Sequence, residues 1–153
     1  MKTYIVILNW NGYLDTLECL ESVFKLSHPN FQVILCDNDS SDNSIDHFTR
    51  WAEGKHSSPV AENSALTSLV SPSVDKPISY ALLEREQTEK GNISNAEVDL
   101  IMIKTGGNLG FAGGNNVGLR YALKRDDFDY IWLLNNDTIV APDCLSKMIN
   151  YSQ

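Results

Sequence analysis

The sequence is short of basic residues, and this shortage excludes one class of function. Its 153 residues include 12 Lys and Arg against 20 Asp and Glu, which gives a net charge of −8. A general nucleic-acid binder needs a basic face, so nucleic acid is not an expected partner. A nucleotide ligand is compatible with this charge, because a metal ion and backbone N–H groups can neutralise its phosphates.

Cysteine, histidine and long apolar runs are also scarce. The three cysteines, Cys19, Cys36 and Cys144, are scattered, and the three histidines have no metal-ligand spacing. This pattern excludes a disulfide framework and a zinc site, and we expect Cys19 and Cys36 in the core. The sequence has no signal-peptide pattern and no run long enough to span a bilayer. We therefore expect a cytoplasmic protein.

What the sequence does contain is a regular alternation of apolar segments and amphipathic helical patterns. Hydrophobic residues make up 42% of the chain, enough for a single domain with a real core. The alternation is typical of βαβ units and predicts an α/β fold, a parallel sheet with helices on both faces. We number the predicted strands 1 to 4 in chain order and predict the sheet order 3-2-1-4. They are Tyr4–Leu8, Gln32–Cys36, Leu100–Ile103 and Tyr130–Leu134.

Local signals place the helices. After the first strand, leucines at helical spacing begin at Leu14, and the same spacing puts Glu21 on the polar face. Ser41 is the predicted N-cap of the next helix, and Gly54 is predicted to close it. Pro142 is predicted in the first turn of the last helix.

The alternation breaks down between about residues 55 and 99. Prolines punctuate this region, and only Ile78–Leu83 has the character of a strand. We predict an insertion that is mostly loop and that is mobile at 86–97. A tolerated excursion is the favoured interpretation, with a lid as the alternative.

The last predicted strand ends in polar side chains. Its apolar run predicts a strand buried on both faces, and Asn135, Asn136 and Asp137 follow directly. Ligands bind at this carboxyl edge in open α/β sheets. Asp137 and Asn135 are at i and i+2, so they point the same way in an extended segment, and Mg²⁺ or Mn²⁺ accepts such oxygens together with substrate phosphates. An ordinary turn is an equally weighted alternative.

Asp37 ends the second strand in a similar way. Because it follows an apolar run directly, we expect it to be partly buried and to need hydrogen-bond donors. The base or ribose of a ligand would supply them. A solvated loop is the less favoured alternative.

A glycine-rich segment follows the third strand. Six of the nine glycines lie between Thr105 and Gly118. A glycine-rich turn at a helix N-terminus is a candidate phosphate cradle. A packing role for Gly113, Gly114 and Gly118 is equally favoured. The segment matches neither the dinucleotide-binding fingerprint nor the P-loop pattern.

Four motifs together resemble the family 2 glycosyltransferases of the GT-A fold, and most closely their rhamnosyltransferase-like branch. The motifs occur in the family's order and spacing, and the resemblance covers the chain except the insertion. It implies that residues 1–153 form a single, partial domain, the Rossmann-like nucleotide-binding half of the GT-A fold. The motifs are Val6–Gly12, Cys36–Asp42, Asn108–Asn116 and Leu133–Thr138.

The resemblance implies inverting transfer of a sugar, with rhamnose as a candidate, from a nucleoside diphosphate sugar to the hydroxyl of a glycan or lipid-linked acceptor in polysaccharide biosynthesis. By the same resemblance Asp37 binds the nucleoside base, and Asn9 and Asn11 lie beside the base and ribose. Asn135–Asp137 matches the Asp-x-Asp metal motif with Asn in its first place, so Asp137 is the chief ligand of Mg²⁺ or Mn²⁺. The divalent cation offsets the charge of the leaving diphosphate. Further nucleotide-sugar contacts are implied for Asp39, Asn108, Gly110, Phe111, Asn115 and Asn136.

Family members are longer than this chain and carry their general base in a later, acceptor-binding region. Transfer needs a base to take the acceptor's proton, so we expect no turnover from this chain alone. The resemblance is also compatible with peripheral association of the full-length protein with the inner face of the membrane. The alternatives are a nucleotide-binding module without catalysis, another doubly wound enzyme such as a dehydrogenase or methyltransferase, and a response-regulator-like domain.

Overall fold

The computed structural model describes residues 1–56, 64–90 and 97–152. The strands are β1 Thr3–Asn9, β2 Phe31–Asp37, β3 Tyr80–Glu84, β4 Leu100–Lys104 and β5 Tyr130–Asn135. The helices are α1 Tyr13–Val23, α2 Ser44–Ala52, α3 Ser64–Val70, α4 Arg85–Glu89, α5 Gly110–Arg125 and α6 Cys144–Tyr151.

The five strands form one sheet in the order β3-β4-β2-β1-β5, and every neighbouring pair is parallel. The predicted order is therefore confirmed, with β3 added outside β4. Asn9 of β1 is in register with Asp37 of β2, and Leu8 is in register with Asn135 of β5. The polar residues that end these three strands consequently meet at one edge of the sheet.

The sheet has a hydrophobic core on each face, as predicted. Successive strand residues point to opposite faces, so Ile5 and Ile7 join a core with α1 and α2, while Tyr4 and Val6 join a core with α5. Burying each such aliphatic side chain contributes roughly 1.5–3 kcal/mol. Cys19 lies in the first core and Cys36 in the second, which confirms their predicted burial.

The prediction that the last strand is buried on both faces is wrong. β5 is an edge strand with β1 as its hydrogen-bonded neighbour within the described chain. The α5 face is covered mainly over β1 and β2, where Gly118 packs against Val6 and Ile34. Leu133 is therefore 49% exposed, and within β5 only Leu134 is buried.

The predicted insertion contains regular structure in its described part. α3, β3 and α4 all lie between residues 55 and 99, so the description "mostly loop" does not hold there. The strand expected at Ile78–Leu83 is confirmed as β3, shifted to Tyr80–Glu84. Of the segment 86–97 predicted to be mobile, residues 86–89 belong to α4, and residues 91–96 fall outside the described residues.

Two of the three predicted helix ends differ from the structure. α2 begins after Asn43, which adopts the left-handed conformation, so Ser41 is not the N-cap. α6 begins after Asp143, so Pro142 precedes its first turn. Gly54 follows α2 with φ +75, which confirms it as the closing residue. Across residues 1–56, 64–90 and 97–152, no helix has the length and apolar character needed to cross a bilayer.

Candidate functional site

A cavity of about 470 Å³ opens at the carboxyl edge of the sheet. It lies between the ends of β1 and β5 and the first turn of α5. This is the edge at which the strand register brings the polar ends of β1, β2 and β5 together. Its lining residues are Leu8, Trp10, Asn38, Asn108, Gly110, Phe111, Asn115, Leu134, Asn135, Asn136 and Asp137.

Most of the residues predicted as a site from the sequence line this cavity. They are Asn108, Gly110, Phe111, Asn115, Asn135, Asn136 and Asp137. The other four do not line it: Asn9 and Asp37 end β1 and β2, and Asn11 and Asp39 lie in the loops that follow these strands. The structure thus gathers the predicted residues at one edge, but in two groups.

The loop after β5 carries the predicted metal ligands. Asp137 is exposed, and among the described residues that line the cavity it alone carries a carboxylate. No group of three or more His, Cys, Asp or Glu side chains able to hold a metal occurs in the described part of the chain. One carboxylate with neighbouring amide oxygens fits Mg²⁺ or Mn²⁺ when ligand phosphates complete the shell.

The same loop is also a turn, because the Thr138 N–H donates to the Asn135 carbonyl at 3.3 Å. The turn alternative and the metal alternative are therefore compatible. Asp137 does not cap α6, since Asp143 occupies that position. A structural duty as helix cap is thus excluded for Asp137.

The thiol of Cys19 lies beneath this loop, with its Sγ 3.8 Å from the Asn135 carbonyl oxygen. Burial raises the pKa of Cys19 to about 12, and the charge of Asp137 acts in the same direction. The thiol is protonated at neutral pH.

Asp37 is only 5% exposed, as the sequence predicts. Its carboxylate already accepts hydrogen bonds from Asn9 Nδ2 at 2.8 Å, Ser40 Oγ at 2.7 Å and Ser40 N at 3.1 Å. The protein thus supplies the donors that we expected from a ligand. An ionised carboxylate has about four acceptor sites, so the predicted contact with a base stays compatible with this geometry.

Asn9 is fully buried and holds the loops after β1 and β2 together. Its amide donates to Ser44 Oγ at 2.9 Å as well as to Asp37, and its carbonyl accepts from Thr16 Oγ1 at 2.8 Å. Asn11 adds a second bridge, because its Oδ1 accepts from Ser41 N at 2.7 Å. These asparagines therefore shape the site from behind, rather than lining the cavity.

Asp39 stands on the outer side of the same loops. It is exposed and adopts a left-handed backbone conformation with φ +64. Short polar side chains tolerate that conformation better than other non-glycine residues do. This position shapes the turn after β2.

Asn38 is a site residue that the sequence reasoning missed. It is 2% exposed and lines the cavity. Its Oδ1 accepts from Leu109 N at 3.0 Å, and its Nδ2 donates to Asn108 Oδ1 at 3.1 Å. It therefore fixes the glycine-rich segment against the end of β2. The signal was present, because Asn38 directly follows the strand-ending carboxylate.

Two aromatic side chains at the cavity are open to solvent. Trp10 is 57% exposed and Phe111 is 68% exposed. Large exposed aromatic rings are costly to leave in water and are suited to packing on a flat ligand group. Trp10 was missed as a contact, although it stands between two predicted asparagines.

Two glycines of α5 allow the helix to pack closely on the sheet. A Cβ on Gly114 would lie 2.5 Å from Leu8 Cδ1, and one on Gly118 would lie 2.7 Å from Val6 Cγ1. The packing alternative is thus confirmed for these two, because α5 needs them to approach β1. Gly110 differs: it lines the cavity at the start of α5 with φ +69 and open space around it. The first turn of a 16-residue helix carries partial positive charge toward the cavity.

Comparison with known proteins decides the family. A model of glycosyl transferase family 2 matches residues 4–62 and 86–153. The chain belongs to glycosyl transferase family 2. The unmatched residues 63–85 lie inside the predicted insertion and contain α3 and β3. No curated protein sequence matches the chain.

Solved structures support the GT-A fold for this family 2 chain. The S. aureus TarS 1-349 structure with UDP has a TM-score of 0.57 and 16% identity, and the match covers 99% of this chain and 32% of the TarS 1-349 chain. The complex with UDP-GlcNAc gives a TM-score of 0.55, 15% identity and coverage of 99% and 31%. Another TarS 1-349 structure has a TM-score of 0.53 and 13% identity, and the match covers 99% of this chain and 32% of that chain. The chain thus spans about a third of the length of these S. aureus structures.

Proposed function

We propose that this chain binds the nucleotide sugar in a glycosyltransferase that moves a sugar from a nucleoside diphosphate to an acceptor hydroxyl. The observation that carries the proposal is the cavity between Asp137 and the first turn of α5, in a chain of glycosyl transferase family 2. Structures of TarS with UDP and with UDP-GlcNAc support a nucleotide sugar as the ligand class.

The charges of the cavity suggest how the ligand is arranged. The diphosphate would lie between Asp137 and the N-terminal turn of α5, where a cation and backbone N–H groups together balance its charge. Asp137, with Asn135, would hold Mg²⁺ or Mn²⁺, and the bound ion would stabilise the departing diphosphate. Trp10 and Phe111 present rings on which the base or the sugar can pack.

In this proposal the sugar is transferred by a single displacement that inverts the configuration at the sugar carbon. The displacement needs a base that takes the acceptor's proton. Of the described residues that line the cavity, Asp137 alone has a carboxylate, and the cation would occupy it. By the motif resemblance we propose that a later, acceptor-binding region of the family supplies the general base and holds the glycan or lipid-linked acceptor. Turnover by this chain alone is not expected.

The finer features of the proposal come from the motif resemblance. Rhamnose is the proposed sugar and polysaccharide biosynthesis the proposed process. The whole protein is proposed to act in the cytoplasm, peripherally at the inner face of the membrane. A binding module without catalysis is the second candidate, favoured because Asp137 is the one carboxylate among the described residues that line the cavity.

Calorimetric titration with UDP, dTDP and GDP, each with and without Mn²⁺, tests the binding proposal. We expect one diphosphate to bind at least about tenfold more tightly with Mn²⁺ than without it, a difference of about 1.4 kcal/mol. Absence of binding by all three, or a preference for NAD or S-adenosylmethionine, would contradict it. A comparison of dTDP-rhamnose with UDP-GlcNAc then tests the sugar.

A further inference from the structure

A buried chain of hydrogen bonds joins the loop after β5 to the end of β2. Asn136 Nδ2 donates to Thr16 Oγ1 at 3.1 Å, and Thr16 Oγ1 donates to Asn9 Oδ1 at 2.8 Å. Asn9 Nδ2 then donates to Asp37 Oδ1 at 2.8 Å. Thr16 and Asn9 are both fully buried. The series thus begins at Asn136, which lines the cavity, and continues behind the cavity through Thr16 and Asn9.

Every donor in this chain points in the same direction, from Asn136 toward the carboxylate of Asp37. Hydrogen bonds in such a series polarise one another, and a terminal anion strengthens the bond made to it. A change at one end therefore alters the strength of the bonds toward the other end. Thr16, in the middle, is the single hydroxyl through which this effect passes.

Thr16 also has a second acceptor. Its Oγ1 lies 3.0 Å from the Gly12 carbonyl oxygen as well as 2.8 Å from Asn9 Oδ1. A hydroxyl has one proton. When Thr16 donates this proton to Asn9 Oδ1 the series of hydrogen bonds is complete, and when it donates to the Gly12 carbonyl the series is interrupted. These two orientations of the Thr16 hydroxyl are the kind of two-state element that energetic coupling between sites requires.

We propose that Thr16 is a positioning residue that couples the two groups of site residues, the loop of Asn136 and Asp137 and the loop of Asp37. The inference rests on the proposed function, which places the diphosphate at the first loop and the nucleoside at the second. Thr16 does not line the cavity and acts through Asn9 and Asn136. Occupation of one loop then favours the setting of Thr16 that prepares the other.

The coupling is measured as a ratio of two nucleoside affinities. Uridine, thymidine and guanosine are titrated calorimetrically with and without saturating Mn²⁺ and pyrophosphate, alongside UDP, dTDP and GDP. In the wild-type protein we expect Mn²⁺-pyrophosphate to tighten binding of the matching nucleoside about fivefold or more, the low end of known couplings. Thr16→Val keeps the shape of the side chain and removes the hydroxyl, so the ratio should fall to about one.

Two variants control for structural damage. Thr16→Ser keeps the hydroxyl and should keep the ratio. Ser22→Ala removes another buried hydroxyl of α1, one that donates to the Cys19 carbonyl at 2.8 Å and is outside the chain. It should lower stability and leave the ratio unchanged. If Thr16→Val does not fold, Thr16→Ala removes the same hydroxyl with a smaller side chain and leaves the residues that line the cavity unchanged.

The outcomes separate this inference from the proposed function. A fivefold ratio in the wild type that is lost in Thr16→Val or Thr16→Ala supports the coupling. A ratio near one in the wild type, or an unchanged ratio in the variants, overturns the coupling. If a diphosphate still binds in that case, the proposed function stands. Failure of the wild type to bind any of the three diphosphates overturns both.

Discussion

The carboxylate of Glu21 on α1 accepts a hydrogen bond of 2.7 Å from the indole nitrogen of Trp51 on α2. Both side chains are fully buried. The same carboxylate accepts from Ser73 Oγ and from Val74 N, each at 2.8 Å, and pairs with Lys76 at 3.4 Å. One buried charge thus fastens the insertion to α1 and α2. Four donors from two chain segments compensate for its removal from water.

We expect Glu21→Ala to destabilise the fold by about 3–5 kcal/mol, because it leaves Lys76 and the indole without their partner. Glu21→Gln keeps an acceptor oxygen and should cost less, about 1–3 kcal/mol. The measurement is urea unfolding followed by tryptophan fluorescence. Asp15→Asn, an exposed carboxylate on the same helix, is the control and should change stability by less than about 1 kcal/mol. Equal effects at the two positions would show that Glu21 does not anchor the insertion.

Glu21 also shows where sequence reasoning fails. Helical spacing assigned it to the polar face of α1, because the spacing reports only the residues of the helix itself. Its partners Trp51 and Ser73 are 30 and 52 positions away. A buried charge of this kind is defined by tertiary contacts, which periodicity cannot show. The same reason explains why the insertion was expected to be mostly loop.

The strands and their order were predictable because their signal is local and strong. Long apolar segments alternate with amphipathic helices, and the polar residues that end β1, β2 and β5 meet by register. Burial of β5 was not predictable, since an apolar run does not reveal whether a helix covers it. Nor did the sequence show which polar residues face the cavity. The buried side chain of Asn9 donates a hydrogen bond to Asp37, whereas Asn38 lines the cavity.

Close packing between α5 and β1 gives the next prediction. Gly118→Ala places a methyl group 2.7 Å from Val6 Cγ1 and 3.1 Å from Cys36 Sγ, both in the core. Overpacking costs about 1–3 kcal/mol, which exceeds the gain in helix propensity of about 1 kcal/mol. Thermal unfolding should show a lower Tm. Gly107→Ala, with nothing within 4 Å of the added Cβ, should leave it nearly unchanged. A Tm for Gly118→Ala at or above that of the wild type would contradict the packing role.

The buried thiols predict a pattern of alkylation. Burial raises the pKa of Cys19 and of Cys36 to about 12, whereas an unfolded thiol titrates near 8.5. Only the thiolate reacts, so iodoacetamide at pH 8 should label the half-buried Cys144 and spare the other two. Labelling in guanidinium, counted by mass spectrometry, should reach all three. Rapid labelling of Cys19 in the native protein would contradict its burial.

The raised pKa values of Cys19 and Cys36 make the stability of the fold depend on pH. Above about pH 8.5 the unfolded chain loses thiol protons that the folded chain keeps. The folded state then binds more protons, so the free energy of unfolding falls as the pH rises toward 12. Urea unfolding at pH 8 and pH 10 should show this decrease. Buried Tyr4 and Tyr121, whose pKa values are also raised by burial, add to it at the upper end.

Asp37 is predicted to contribute to nucleoside binding. Asp37→Ala should weaken binding of the matching nucleoside about tenfold, even without phosphates, because it removes an acceptor and releases the loop held by Asn9 and Ser40. Calorimetry with the free nucleoside is the measurement. Ser44→Ala, which removes a different partner of Asn9, controls for loosening of the loop. Equal affinities in Asp37→Ala and the wild type would rule out the predicted role.

Asp137 carries the metal prediction. Mg²⁺ and Mn²⁺ prefer a carboxylate oxygen, and no other described residue lining the cavity has one. We therefore expect Asp137→Asn to abolish the Mn²⁺ dependence of nucleoside diphosphate binding, a loss of about tenfold, and to leave free nucleoside binding intact. Asn135→Asp should tighten Mn²⁺ binding, because it adds a second negative charge two residues away.

The free energy of unfolding distinguishes metal binding by Asp137 from a structural role of this residue. Asp137 is exposed and does not cap α6, so Asp137→Asn should change the free energy of unfolding by less than about 0.5 kcal/mol. Asp143→Asn, at the N-cap of α6, is the matched control, because it removes a nearby carboxylate that pairs with Lys147 rather than facing the cavity. Mn²⁺ dependence should survive in this control. Its survival in Asp137→Asn as well would mean that the metal is bound elsewhere.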